Sequence, residues 1–158
     1  MDPKSILTCV EGRRTWMHNS LRVLVEQESP SEDASAVNAA ASLVERLAVP
    51  LGFRSKRHRQ KEFGDVLELQ FGATRSKQKP VLLLGHLDTV WSPGTLARMP
   101  WREAKGRFHG PGVLDMKAGV VMALAAVSTL GELNLARPLT LLLNSDEEMG
   151  SPVSRPIT

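Results

Sequence analysis

Three short stretches collect the side chains able to do chemistry. They are Gly85-His86-Leu87-Asp88-Thr89, Gly110-Pro111-Gly112-Val113-Leu114-Asp115-Met116-Lys117-Ala118-Gly119 and Asn144-Ser145-Asp146-Glu147-Glu148-Met149-Gly150. Together they offer one imidazole and several carboxylates, a donor set suited to a pair of divalent metals such as zinc. In extended chain, residues i and i+2 project to one side, so His86 and Asp88 can face a single site. There His86 binds a metal through one ring nitrogen while Asp88 orients the ring through the other. The alternative is a plain loop histidine, with a turn or helix cap at Asp88-Thr89.

Asp115 follows a Gly-Pro-Gly sequence that forces an unusual backbone path. It is either a simple N-cap, worth about 1 kcal/mol, or a carboxylate aimed into the same crevice. A phosphate-cradling glycine loop fails on spacing, because it requires glycine at position 115, and no Gly-Lys-Ser/Thr occurs anywhere in the chain. Asp146, Glu147 and Glu148 repel one another, and a solvated acidic loop is the ordinary reading of such a run. Here it ends a largely apolar strand, where desolvation costs stability unless a cation compensates. Glu147 and Glu148 can share a site only if the backbone turns, and Gly150 with Ser151-Pro152 supplies a turn. One glutamate can then ligate while the other accepts a proton from water.

The elements that must position these residues are legible from periodicity. Met17, Leu21 and Leu24 stripe a helix over 13–28, which Ser29-Pro30 breaks. Val37, Ala40, Ala41, Val44, Leu47 and Ala48 stripe a second helix, capped by Ser29 with Glu32 or by Ser31 alone, and ended by Pro50 and Gly52. Residues 67–71 alternate as a strand with one wet face. Val81–Leu84 and Leu139–Leu143 are continuous apolar runs, suited to strands buried on both faces. Between them, 116 to about 130 reads as a helix. Strand, helix and strand form a βαβ-like unit, so the expected class is α/β with a mixed, mostly parallel sheet flanked by helices.

Bulk properties narrow the options. A length of 158 residues is one domain's worth of chain, and 42% hydrophobic content is ordinary for a packed core. Cys9 is the single cysteine, so no intrachain disulfide forms and a reducing compartment is expected. The N-terminus lacks a secretory pattern, and Ala118–Leu130 is too short to cross a bilayer, so a soluble, cytoplasmic protein without membrane contact is expected. Arg54–Lys61 packs five fixed positive charges into eight residues, but no aromatic side chain interleaves them. It reads as a solvated connection between helix and strand, and no nucleic-acid partner is expected.

Taken together, the three motifs resemble the di-zinc aminoacylase and carboxypeptidase family, which includes glutamate carboxypeptidase, acetylornithine deacetylase and succinyl-diaminopimelate desuccinylase. The resemblance covers nearly all of the chain. It implies a zinc-exopeptidase-like catalytic domain, of which residues 1–158 form an incomplete, N-terminal part, without the lid or dimerisation domain and the C-terminal catalytic part. It implies that His86 and Asp115 bind one metal, Asp115 and Glu148 the other, Asp88 orients His86, and Glu147 is the general base. The cofactors implied are two divalent ions, zinc foremost, with cobalt or manganese as alternatives. The substrate implied is a small peptide or N-acyl amino acid, and full-length relatives are often homodimers. A cis peptide at Asp115–Met116 belongs to the same resemblance. His18, His58 and His109 match no motif and are not expected as ligands. With two protein ligands per ion where catalytic zinc takes three, metal affinity should be low and the chain alone a poor or inactive amidase, a fragment or non-catalytic relic.

Overall fold

The computed structural model describes residues 3–73, 78–134 and 137–158. Three helices open the chain: α1 (Pro3–Gly12), α2 (Arg14–Glu26) and α3 (Ala34–Ala48). They are followed by strands β1 (Arg54–His58), β2 (Val66–Phe71) and β3 (Val81–His86), a short helix α4 (Thr95–Arg98) and a hairpin of β4 (Arg102–Ala104) and β5 (Arg107–His109). A wide helical turn, Val113–Lys117, leads into α5 (Ala118–Glu132), then β6 (Leu139–Asn144) and a 3-10 turn at Glu147–Met149. Helix α1 is an addition to the sequence reading, which began its first helix at 13.

Four strands form a sheet in the order β1-β2-β6-β3. The sheet is mixed, as expected, and β3 and β6 run parallel, as their helical crossover requires. The proportion differs from expectation: β1/β2 and β2/β6 are antiparallel, so parallel pairing is the minority. One face carries Leu67, Leu69, Leu141 and Leu143, packed under Leu21, Leu24 and Val25 of α2, Ala41 and Val44 of α3, and Val120, Leu124 and Val127 of α5. Each such leucine or valine, fully buried, contributes about 1.5–3 kcal/mol. That continuous core fixes the strand ends against the helices.

Three local expectations are corrected. Most of the basic run is a strand, not a connection: Arg54–His58 form the edge strand β1, whose charges discourage further pairing, and residues 59–61 lie in the connection that follows it. Its Arg57 reaches Glu45 at 2.6 Å and Asp65 at 3.8 Å, and His58 reaches Glu68 at 2.7 Å. Strand β3 is not buried on both faces, because Leu82 and Leu84 are 51% and 52% exposed on the face opposite the core. Helix α3 is capped by Asp33, whose carboxylate accepts the Ala36 N–H at 2.9 Å, rather than by Ser29 or Ser31. The turn and α5 together, Val113–Glu132, are long and apolar enough to cross a bilayer by length and composition, beyond the shorter run read from sequence. Val120, Val121, Leu124, Ala125 and Val127 of that stretch are buried within the fold.

Candidate metal centre

Parallel pairing of β3 with β6 sets His86 opposite Asn144, so both strands release their following residues at one edge of the sheet. That edge is where an open α/β sheet gathers functional side chains. His86 and Asp88 are buried there. The backbone turns immediately after β6, with Gly150 at φ 84° closing the Glu147–Met149 turn. Ligand atoms of His86, Glu147 and Glu148 thereby lie within 4.8 Å of one another. Asp115 joins them from the other side, its Oδ1 3.0 Å from His86 Nε2, while Glu147 Oε2 stands 3.9 Å from the same nitrogen. All five residues singled out by sequence thus meet in one place, with Asp115 linked through the imidazole.

The imidazole's chemistry follows from its neighbours. Nδ1 lies 3.0 Å from the main-chain oxygen of Asp88 and 3.4 Å from its carboxylate. Both groups only accept, so Nδ1 carries the proton and Nε2 is the atom turned toward Asp115 and the glutamates. Burial opposes the imidazolium, but the carboxylates of Asp88 and Asp115 outweigh it and raise His86 to about 9. Burial likewise raises Glu148, helped by the charges of Asp115, Asp88 and Glu147 and opposed by His86. Asp88 is held below the ordinary range despite its burial, by His86, the Ser31 hydroxyl and the backbone N–H groups of Glu148 and Glu147.

Local backbone explains how Asp115 arrives. It caps no helix: the Val113–Lys117 turn has non-helical dihedrals at Asp115 and Met116, and the Asp115–Met116 peptide is cis. Gly112 sits at φ 68°, and a Cβ there would stand 2.7 Å from Thr89 Cγ2, so the Gly-Pro-Gly sequence is required by both conformation and space. Lys117, almost wholly buried, donates from Nζ to the Gln27 carbonyl at 2.7 Å. Burial lowers its amine to about 8 against the pull of Glu28. Asp146 turns inward, away from the acidic pair, and accepts the N–H groups of Val153 (2.6 Å) and Ser154 (3.2 Å).

Two contributors escaped the sequence reading. Ser31 donates to Asp88 Oδ2 at 2.8 Å, and Lys117 ties the Asp115 turn to the end of α2. Neither has a local pattern that reveals it. The remaining histidines have other surroundings: His18 contacts Glu103 at 3.2 Å, His58 pairs with Glu68, and His109 ends β5. A cavity of about 480 Å³ opens beside Glu148, lined by Ser31, Thr89, Trp91 and Met149 among others.

Comparison with known proteins adds to this geometry. Residues 82–157 match peptidase family M20/M25/M40. The chain is 33% identical over 140 residues to carboxypeptidase G2 of Pseudomonas sp. (strain RS-16), a match covering 86% of this chain and 33% of that protein. It is 39% identical over 71 residues to acetylornithine deacetylase of Pasteurella multocida (strain Pm70), covering 43% of this chain and 19% of that protein. Its fold is similar to that of human carnosine dipeptidase 1, with a TM-score of 0.80 at 18% identity, over 98% of this chain and 36% of that one. The chain therefore spans about a third or less of the length of these proteins.

Proposed function

We propose, starting from the chain's membership of peptidase family M20/M25/M40, that its site serves a metal-dependent hydrolase of amide or peptide bonds using two divalent ions. The observation that carries the reading is the approach of His86, Glu147 and Glu148 ligand atoms to within 4.8 Å, with Asp115 against His86 Nε2. The donor chemistry fits. One neutral-capable imidazole and a crowd of carboxylates that push up the affinity of Glu148 for a proton form a site that a divalent cation would relieve.

In this reading His86, Asp115 and Glu148 would hold the ions, with Asp115 shared between them. When bound, the pair supplies Lewis acidity toward the scissile carbonyl and an acidified water. Asp88 accepts from Nδ1 and so leaves Nε2 as the nitrogen that an ion would take, in exchange for the proton it shares with Asp115. Glu147, the more exposed of the two glutamates, would take the proton from water and return it to the leaving nitrogen. The substrate class is a small peptide or N-acyl amino acid, suggested by the carboxypeptidase and deacetylase among the relatives. The cavity beside Glu148 gives one substrate arm a place next to the centre.

Zinc, cobalt or manganese should raise the melting temperature of the chain, since a ligand of the folded state alone stabilises it. His86→Ala should abolish the rise. A melting temperature unmoved by all three metals at millimolar concentration rejects the centre.

A further inference from the structure

We propose that Ser31, on the segment joining α2 to α3, is a positioning residue of this centre: its hydroxyl fixes the Asp88 carboxylate, which in turn holds the acidic turn and His86 in one frame. The inference deepens the metal-hydrolase reading and rests on it.

Ser31 is buried, and its hydroxyl has no helix to cap, because Asp33 performs that task. The hydroxyl lies 2.8 Å from Asp88 Oδ2 and 3.3 Å from the Thr89 carbonyl. It has one proton to give, and the shorter contact goes to the charged acceptor, the stronger bond. Asp88 then has both oxygens engaged. Oδ1 accepts the Glu147 N–H and Oδ2 the Glu148 N–H, each at 3.1 Å. Oδ1 is also the carboxylate oxygen that faces His86 Nδ1, at 3.4 Å. A rotation of this one carboxylate would therefore disturb the imidazole and both glutamates together.

The backbone around Ser31 is itself pinned to the strand end it serves. Ser31 N donates to the Thr89 carbonyl at 3.1 Å, Thr89 N to the Ser29 carbonyl at 2.9 Å, and the Ser29 hydroxyl to the Leu87 carbonyl at 2.7 Å. Upstream, the same segment receives Lys117 at Gln27, and Glu28 accepts the N–H groups of Gly94 and Leu96. Residues 27–31 thus touch the stretch after β3 and the Asp115 turn directly, and the acidic turn through Asp88.

The test is amide hydrogen exchange in the metal-free chain, read residue by residue. In Ser31→Ala the Glu147 and Glu148 amides should exchange roughly tenfold faster, the factor expected when a hydrogen bond to a buried charge is lost. Amides of the β2/β6 ladder should keep their protection, and Ser31→Thr, which retains the hydroxyl, should hold the two glutamate amides near the parent rate. Unchanged exchange at Glu147 and Glu148, or a rise shared equally by the ladder, overturns the assignment. A failure of metals to stabilise the parent chain would count against the centre, whereas this measurement, made without metal, judges Ser31 separately.

Discussion

Two aspartates reach the same imidazole by opposite means. Asp88 is wholly buried, and its carboxylate accepts one hydroxyl and two backbone amides beside the His86 ring. The Asp115 side chain is 74% exposed and contacts His86 Nε2, with the backbone of a five-residue turn as its support. The difference separates two kinds of work. A carboxylate whose oxygens are already committed builds a frame and has little left to offer an ion. One delivered by backbone shape and left open to solvent can accept a ligand.

Removing the two charges should break the pair apart most visibly. Asp88→Asn places an amide N–H₂ against donor groups in a buried site, and should destabilise the chain by about 2–4 kcal/mol in chemical denaturation. Asp115→Asn, at an exposed position, should stay within about 0.5 kcal/mol of the parent. It should nonetheless lose the metal-induced rise in melting temperature. Equal destabilisation by both substitutions would erase the distinction between frame and ligand.

The exposed half of the comparison depends on backbone shape, which a smaller change can probe. Gly112→Ala adds a Cβ 2.7 Å from Thr89 Cγ2 and 3.3 Å from Lys117 Cε, at φ +68°. Gly94 has a similar φ of +80° but open space around it. Alanine at 112 should cost about 2–3 kcal/mol, strain and clash together, against about 1 kcal/mol for conformation alone at 94. Matching losses in the two variants would mean that Thr89 yields and the Asp115 turn is not locked against the strand end.

The same contrast explains what could be read from the chain. Val81–Leu84 and Leu139–Leu143 are apolar runs with strand-like punctuation, so the sequence places the residues leaving them, His86, Asp88, Glu147 and Glu148, at one edge. Gly-Pro-Gly marks an abrupt turn before Asp115 but leaves it between an N-cap and a site carboxylate, and only the family resemblance implies the second. Ser31 and Lys117 were not legible, since their hydrogen bonds span 57 and 90 residues and leave no periodic trace. The basic run misled because charges on an edge strand look like a solvated loop until Glu45, Asp65 and Glu68 are seen beside it. Leu82 and Leu84 misled for the reverse reason: composition reports how apolar a strand is, not which of its faces is covered.

Glu28 gives the smallest and most graded test, because it belongs to the frame yet lies outside the group of proposed ligands. Its carboxylate accepts the Leu96 N–H at 2.8 Å and the Gly94 N–H at 2.7 Å, anchoring the loop that follows Asp88 and Thr89. The Leu96 hydrogen bond, with those of Gly94 and Thr95 and the charge of Lys117, holds the carboxyl below its ordinary 4.5 against the opposing effect of burial. The folded value is therefore lower than the unfolded one. Stability from this anchor is fully present above about pH 4.5 and drains away as pH falls through the lowered folded value, where the unfolded chain binds the proton first. Glu28→Gln should be less stable than the parent near neutrality, and the gap in urea unfolding should hold down to roughly pH 5 and narrow from there toward pH 3. A gap that stays constant over that range would show that the ionised carboxylate is not what holds the loop.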